Sequence, residues 1–253
     1  MTALSPTEPS ASGSSERYAI YWAPPRDSSL ARLGPVWLGR DADPDMSTRT
    51  LLPRPAIAGF TSEQLDTVTA EPRRYALHAT LKPPFALAAG RSLETLCDDL
   101  DRFAAKQTPF LLPPLQLEPI GHRFLALIPS ASCPTLDGLA RGCVIGFDSY
   151  RRAASPSELA RRRVNGLDAV EEENLQRWGY PYVLDRFRFH VTLTGALDAS
   201  TLDRLQAPLT MLFMPAMAES IRVADIALFS ESAPGQPFEL VKRFYLGRER
   251  KGV

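Results

Sequence analysis

Cysteine, histidine and net charge are all scarce in this chain, and each shortage argues against a class of function. There are three cysteines in 253 residues, an odd number with no pair at metal-ligand spacing, so neither a disulfide framework nor a zinc ribbon is expected. Cys97, Cys133 and Cys143 each fall in an apolar helical pattern, where a thiol packs as a small hydrophobe. A reducing, cytoplasmic compartment is expected. Lys and Arg together number 29, as do Asp and Glu, so no net field draws the chain to nucleic acid or to a membrane surface. The run Arg161, Arg162, Arg163 is a local cluster only. No stretch approaches the roughly 20 apolar residues needed to span a bilayer. Residues 1–16, MTALSPTEPSASGSSE, lack both the positive start and the apolar run of a signal peptide, and read as a disordered tail. A Gly-rich phosphate loop, a His-x-x-x-His pair and a Gly-x-Ser-x-Gly elbow are missing too. Their absence argues against nucleoside-triphosphate hydrolysis, a catalytic zinc and a serine nucleophile of that type. What remains is an ordinary globular chain, 44% hydrophobic, with ample material for a core.

Two of the three histidines sit in the same local context. In RFRFHVTLTG, Arg186 to Gly195, Phe187, Phe189, Val191 and Leu193 fall on one face of a strand, while Arg186, Arg188, His190, Thr192 and Thr194 fall on the other. In YALHATLKPPF, Tyr75 to Phe85, the apolar Tyr75, Leu77, Ala79 and Leu81 alternate with His78, Thr80 and Lys82. Each strand thus offers a His and, two residues on, a Thr. The third histidine, His122, lies beside Gly121 in a hairpin turn and is left out of the site.

The surrounding pattern repeats as well. A first strand covers Arg17 to Ala23 and stops at Pro24-Pro25. A long Pro-, Gly- and Asp-rich stretch follows, with short helical segments near Leu30 to Leu38 and after Thr61; it is a candidate wall of a cleft. In it Arg40 and Asp41 read as a surface ion pair. The first His strand is followed by a helix over Ser92 to Lys106 and two strands, Phe110 to Pro119 and Arg123 to Ile128. The second is followed by a helix near Ser200 to Leu212 and strands at Ile221 to Ser230 and Phe238 to Leu246. Between them run helices over Pro134 to Phe147, after the Ser155–Glu158 capping box, and over Asp168 to Trp178. The expectation is an α+β fold of two pseudo-symmetric lobes, each an antiparallel sheet with a helix, around a central groove. One domain would span residues 17–250: lobe one over 17–130, a helical bridge over 131–182, and the second His lobe over 183–250. The tryptophans and most tyrosines read as packing, although Tyr18 or Tyr21 lines the groove if the first strand borders it, and Tyr18 is placed in the site.

Paired His-x-Thr strands, together with RYAIYWAPP at 17–25, WLGRDADPD at 37–45, LHATLKPPF at 77–85, ELARRR at 158–163 and RWGYPYVLDRFRFHVTLTG at 177–195, resemble the two-histidine (2H) phosphoesterase superfamily. The wording is most similar to its branch encoded in phosphonate-metabolism operons. The resemblance implies a metal-independent cyclic phosphodiesterase needing no cofactor. His78 and His190 would form the acid–base pair, and either could serve as base. Thr80 and Thr192 would hold the phosphate, with Lys82, Thr194, Arg188 and Tyr18 lining the substrate site. The implied substrate is a small phosphorylated sugar or nucleotide, such as a ribose cyclic phosphate. Two alternatives stay open: an RNA end bearing a 2′,3′-cyclic phosphate, and a non-catalytic module that binds a phosphorylated metabolite.

Overall fold

A computed structural model describes residues 16–43, 45, 53–164 and 166–248; apart from Glu16, the expected tail lies outside them. In the first part of the chain the elements are β1 (Arg17–Trp22), α1 (Ser29–Leu38), α2 (Ser62–Tyr75), β2 (Ala79–Phe85) and α3 (Leu93–Ala105). The middle holds β3 (Phe110–Leu111), β4 (Leu115–Ile120), β5 (Phe124–Pro129), α4 (Pro134–Gly146), α5 (Pro156–Arg162) and α6 (Ala169–Trp178). Last come β6 (Val191–Thr192), α7 (Ala199–Met217), β7 (Arg222–Val223), β8 (Asp225–Glu231) and β9 (Glu239–Tyr245).

β1 is buried on both faces. Tyr18, Ile20 and Trp22 enter the main core, whereas Ala19 and Tyr21 join a smaller cluster with Phe229, Phe238 and Leu240. A strand so enclosed must satisfy its backbone on both edges. It does so by pairing antiparallel with β2 on one side and β8 on the other, giving the sheet order β2-β1-β8-β9. The second sheet, β4-β5-β6, is also antiparallel, and β3 pairs with β7 in a two-stranded ribbon. The β4–β5 hairpin turns through Gly121 and His122, both at positive φ (57° and 52°), the backbone demanded by a tight hairpin turn of matching twist.

Mixed helices and antiparallel sheets are therefore what the sequence predicts, but the lobes do not follow the chain halves expected at 17–130 and 183–250. The sheet containing β2 is completed by β8 and β9 from the second half, and the one containing β6 by β4 and β5 from the first. The two halves interleave because β1 takes a distant partner on its second edge. One apolar cluster joins residues of both sheets, including Ile20, Leu81, Leu117, Leu127 and Val191.

Two local differences bear on the site. Tyr75 closes α2 instead of opening the His strand. The helix is held by a Thr61–Gln64 capping box and buries Leu65, Val68, Thr69 and Pro72 on one face. The second His strand, expected over 186–195, forms a ladder only at Val191–Thr192, preceded by a 3-10 turn at Leu184–Arg186. Its alternation survives: Phe189, Val191 and Leu193 are buried, and the Leu193 carbonyl accepts from Trp37 Nε1–H at 2.7 Å. Arg40 is not half of a surface ion pair. Its guanidinium donates to the carbonyls of Arg73, Arg74 and Phe238, satisfying the exposed C-terminal end of α2.

Candidate active site

Both His strands are edge strands, β2 beside β1 and β6 beside β5, so each has one strand neighbour among the described residues. His78 and His190 sit immediately before them, and together with Thr80 and Thr192 they line one groove of about 390 Å³. The two imidazoles are held in the same way. His78 Nδ1–H donates to the Ala76 carbonyl at 2.9 Å, and His190 Nδ1–H donates to the Arg188 carbonyl at 2.7 Å. Each acceptor is the residue two before its histidine. A carbonyl can only accept, so Nδ1 carries the hydrogen and Nε2 is the free nitrogen of the neutral ring. Thr80 Oγ1 lies 3.4 Å from His78 Nε2.

Aromatic rings fix the first imidazole further. His78 stacks on Tyr21 with centroids 4.0 Å apart and 29° between planes, and Tyr75 approaches at 5.8 Å. His190 has Phe124 at 5.9 Å. This crowding strips water from both rings and disfavours their charged forms. Burial lowers the His78 pKa to about 4, opposed by the hydrogen bond to Ala76 and reinforced by the charge of His190. Burial also lowers that of His190, opposed by its bond to Arg188.

Of the other residues expected in the site, Thr194 borders the groove, but its hydroxyl is buried and accepts from Leu125 N–H at 3.0 Å. Lys82 is elsewhere. In the β1–β2 ladder Tyr21 pairs with Thr80 and Ile20 with Lys82, so Leu81 is an extra residue. Such a bulge breaks the alternation and re-aims the next side chain, sending Lys82 to the core face with Ile20. It is 1% exposed. Its Nζ donates to the Val144 carbonyl at 3.1 Å and lies 3.8 Å from Asp148; burial lowers its pKa to about 8 despite that carboxylate. Lys82→Ala should therefore destabilise the fold by about 2 kcal/mol, the scale of truncating a long buried side chain and leaving the Val144 carbonyl without its donor, while leaving substrate KM unchanged. Urea unfolding alongside steady-state kinetics checks this, and a selective rise in KM would contradict the burial.

Tyr18 is also in the core, and Tyr21 lines the groove in its place. Arg188 lies in a different depression with Phe187 and Glu118, and Arg186 pairs with Asp168 at 2.6 Å. The cations that do line the groove are Arg17, Arg123 and Arg162, facing Glu71, with Tyr75, Tyr180 and Phe124 as its aromatic walls. Of these, Tyr21 was foreshadowed by its place on the first strand. The arginines come from three separate segments, and even the Arg161–Arg163 run carries no sign that Arg162 meets Arg17 and Arg123 in one groove.

Comparison with known proteins places this architecture among relatives. The chain is 38% identical over 232 residues to a protein of Janthinobacterium sp. (strain Marseille) named ribose 1,5-bisphosphate phosphokinase PhnN, the match covering 90% of this chain and 50% of that one. A protein of the same name from Laribacter hongkongensis (strain HLHK9) is 35% identical over 232 residues, with 91% and 52% covered. This chain thus spans about half the length of these curated relatives. Looser likenesses to solved structures include one described as a phosphoesterase, at TM-score 0.39 and 15% identity over 92% of this chain and 99% of that one. Another is E. coli LigT complexed with NADP+, at TM-score 0.38 and 14% identity over 92% and 98%. The family model described as "Protein of unknown function (DUF1045)" matches residues 80–239, well over half of the sequence and both His-strand threonines, and the chain belongs to that family.

Proposed function

We propose that the protein is a metal-independent cyclic phosphodiesterase, opening the cyclic phosphate of a small phosphorylated sugar or nucleotide with His78 and His190 as its acid–base pair. The observation that carries this reading is the twinned imidazole: two histidines, each pinned through Nδ1 to the carbonyl two residues before it, each followed by a groove-lining threonine, in one groove.

The chemistry follows from that arrangement. A water oxygen attacks phosphorus while one Nε2 takes its proton; the phosphorus–alkoxide bond breaks, and the other, protonated imidazole gives its proton to the leaving oxygen. The products are a phosphate monoester and a free hydroxyl. His78 is the more crowded ring and is held neutral, which suits it to the base role, with His190 as acid. Hydroxyls of Thr80 and Thr192 donate to the non-bridging oxygens as charge builds there. The relatives' name joins one activity of their longer chains to a ribose phosphate, and a ribose cyclic phosphate is the substrate we propose for the half that this chain represents. Their phosphokinase step requires a nucleoside triphosphate site, and this chain carries no Gly-rich phosphate loop. We assign that step to the half of the relatives that this chain does not span.

The test is phosphodiester hydrolysis by chelator-treated protein over 2′,3′-cyclic nucleotides and ribose 1,2-cyclic phosphates, followed by phosphorus NMR. Turnover that survives chelation is expected. Because both imidazoles titrate below their ordinary range, the kcat/KM profile should be a bell displaced to the acid side of pH 6.5. The bound anion raises both values, so the kcat profile should lie higher in pH. Turnover that is lost on chelation and restored by a divalent cation would overturn the reading.

A further inference from the structure

The chain has no net charge, yet a pocket of about 340 Å³ is lined by Arg17, Arg74, Arg151, Arg152, Arg161 and Arg162 against one acidic residue, Glu158. It is continuous with the histidine groove, sharing Arg17, Tyr75, Pro84 and Arg162 with it. Some of its charge is countered from behind. The buried Glu231 carboxylate accepts from both Arg17 and Arg74, and Asp148 holds Arg151 at 2.8 Å. These pairs fix three guanidinium planes at the pocket wall. The excess of positive charge is left to Arg152, Arg161 and Arg162, which form no ion pair among the described residues, and Glu158 is occupied in capping α5 by accepting from Ser155 N–H at 2.8 Å. Arg74 Nε, moreover, is a buried donor with no hydrogen-bond partner.

Converging guanidinium groups, some rigidly anchored and some unpaired, are suited to a phosphate monoester, whose oxygens accept bidentate hydrogen bonds from planar donors. We infer that this pocket is a second phosphate subsite, and that the preferred substrate is a sugar cyclic phosphate carrying a separate phosphate monoester, the cyclic group lying between the histidines and the monoester among the arginines. The catalytic part of this statement rests on the phosphodiesterase reading; the anion subsite does not. A small doubly phosphorylated sugar fits better than RNA, because the charge is gathered in one pocket instead of running as a track.

Two measurements separate the two ideas. Ribose 5-phosphate is titrated calorimetrically into the unsubstituted 253-residue chain and into Arg152→Ala, Arg161→Ala and the double variant. Both positions line the arginine pocket and neither lines the histidine groove. Binding should weaken at least tenfold in the double variant, and equal affinity in all four proteins overturns the subsite. In parallel, kcat/KM is compared for ribose 1,2-cyclic phosphate with and without a 5-phosphate. The wild-type chain should favour the doubly phosphorylated compound by tenfold or more, and the double variant should bring that ratio close to one. Equal turnover of both compounds by the wild type removes the subsite and leaves the phosphodiesterase standing. Ribose 5-phosphate binding through the arginines with no turnover does the reverse. Affinity for oligonucleotides with a cyclic-phosphate end that rises with their length would replace the small substrate with nucleic acid and overturn the inference.

Discussion

Replacing either His78 or His190 by alanine is expected to lower kcat/KM on the cyclic phosphate by 10²- to 10⁴-fold, the span of a positioned acid or base. The double variant should fall little further, because the two proton transfers belong to one displacement and their losses do not add. Steady-state kinetics on all three proteins, at several pH values, provides the check, and wild-type turnover by both single variants would end the mechanism. The two singles should also differ in form: loss of the base removes the acid limb of the profile, and loss of the acid removes the alkaline limb. Stability supplies a separate signature. His78 is neutral in the fold to about pH 4, whereas an unfolded histidine titrates near 6.5, so between those values the unfolded chain binds more protons. The stability linked to a neutral His78 is therefore fully present above about pH 6.5 and is lost as the pH falls towards 4. His78→Gln should flatten that decline, measured by urea unfolding at pH 7.5 and pH 5.

Thr80→Val and Thr192→Val are the next largest losses, about 10²- to 10³-fold in kcat each, by the measure of a deleted oxyanion donor. Valine keeps the β-branched shape that suits a strand, so folding should be preserved and the loss should fall on kcat more than on KM. Serine at either position retains the hydroxyl and should recover most of the rate. If Val and Ser variants behave alike, the threonines serve only as strand formers. Thr80 is the sharper case, since its hydroxyl already lies 3.4 Å from His78 Nε2 and its backbone is registered against Tyr21, the ring on which His78 stacks.

The histidines and their threonines were legible because they depend on a period of two over five residues, and the burial of Phe189, Val191 and Leu193 preserves that period. Helix ends were legible for the same local reason: Ser155 and Glu158 form their capping box, and Gly179 closes α6 in the left-handed region. Lys82 was misread because its direction is decided by a bulge in the pairing of β2 with β1, which nothing within LHATLKPPF specifies. Tyr21 could not be told from Tyr18 because β1 is apolar on both faces, so alternation carries no orientation. The arginine pocket is assembled from four stretches, around residues 17, 74, 151–152 and 161–162, and a run such as Arg161–Arg163 shows only its own share of that charge.

The pairing of β1 with β8 has a consequence for how the molecule is made. Arg17 lies opposite Glu231, 214 residues further along the chain, so β1 keeps an uncovered second edge until β8 is in place. Until then an apolar strand has open backbone groups along one side, the configuration that invites pairing with other chains. Closing so long a loop makes folding slow relative to domains built from local contacts. A polypeptide ending before β8 would carry both histidines and both threonines yet leave that edge open and prone to aggregation. The groove that holds both histidines is thus backed by a complete sheet only after β8 has joined β1.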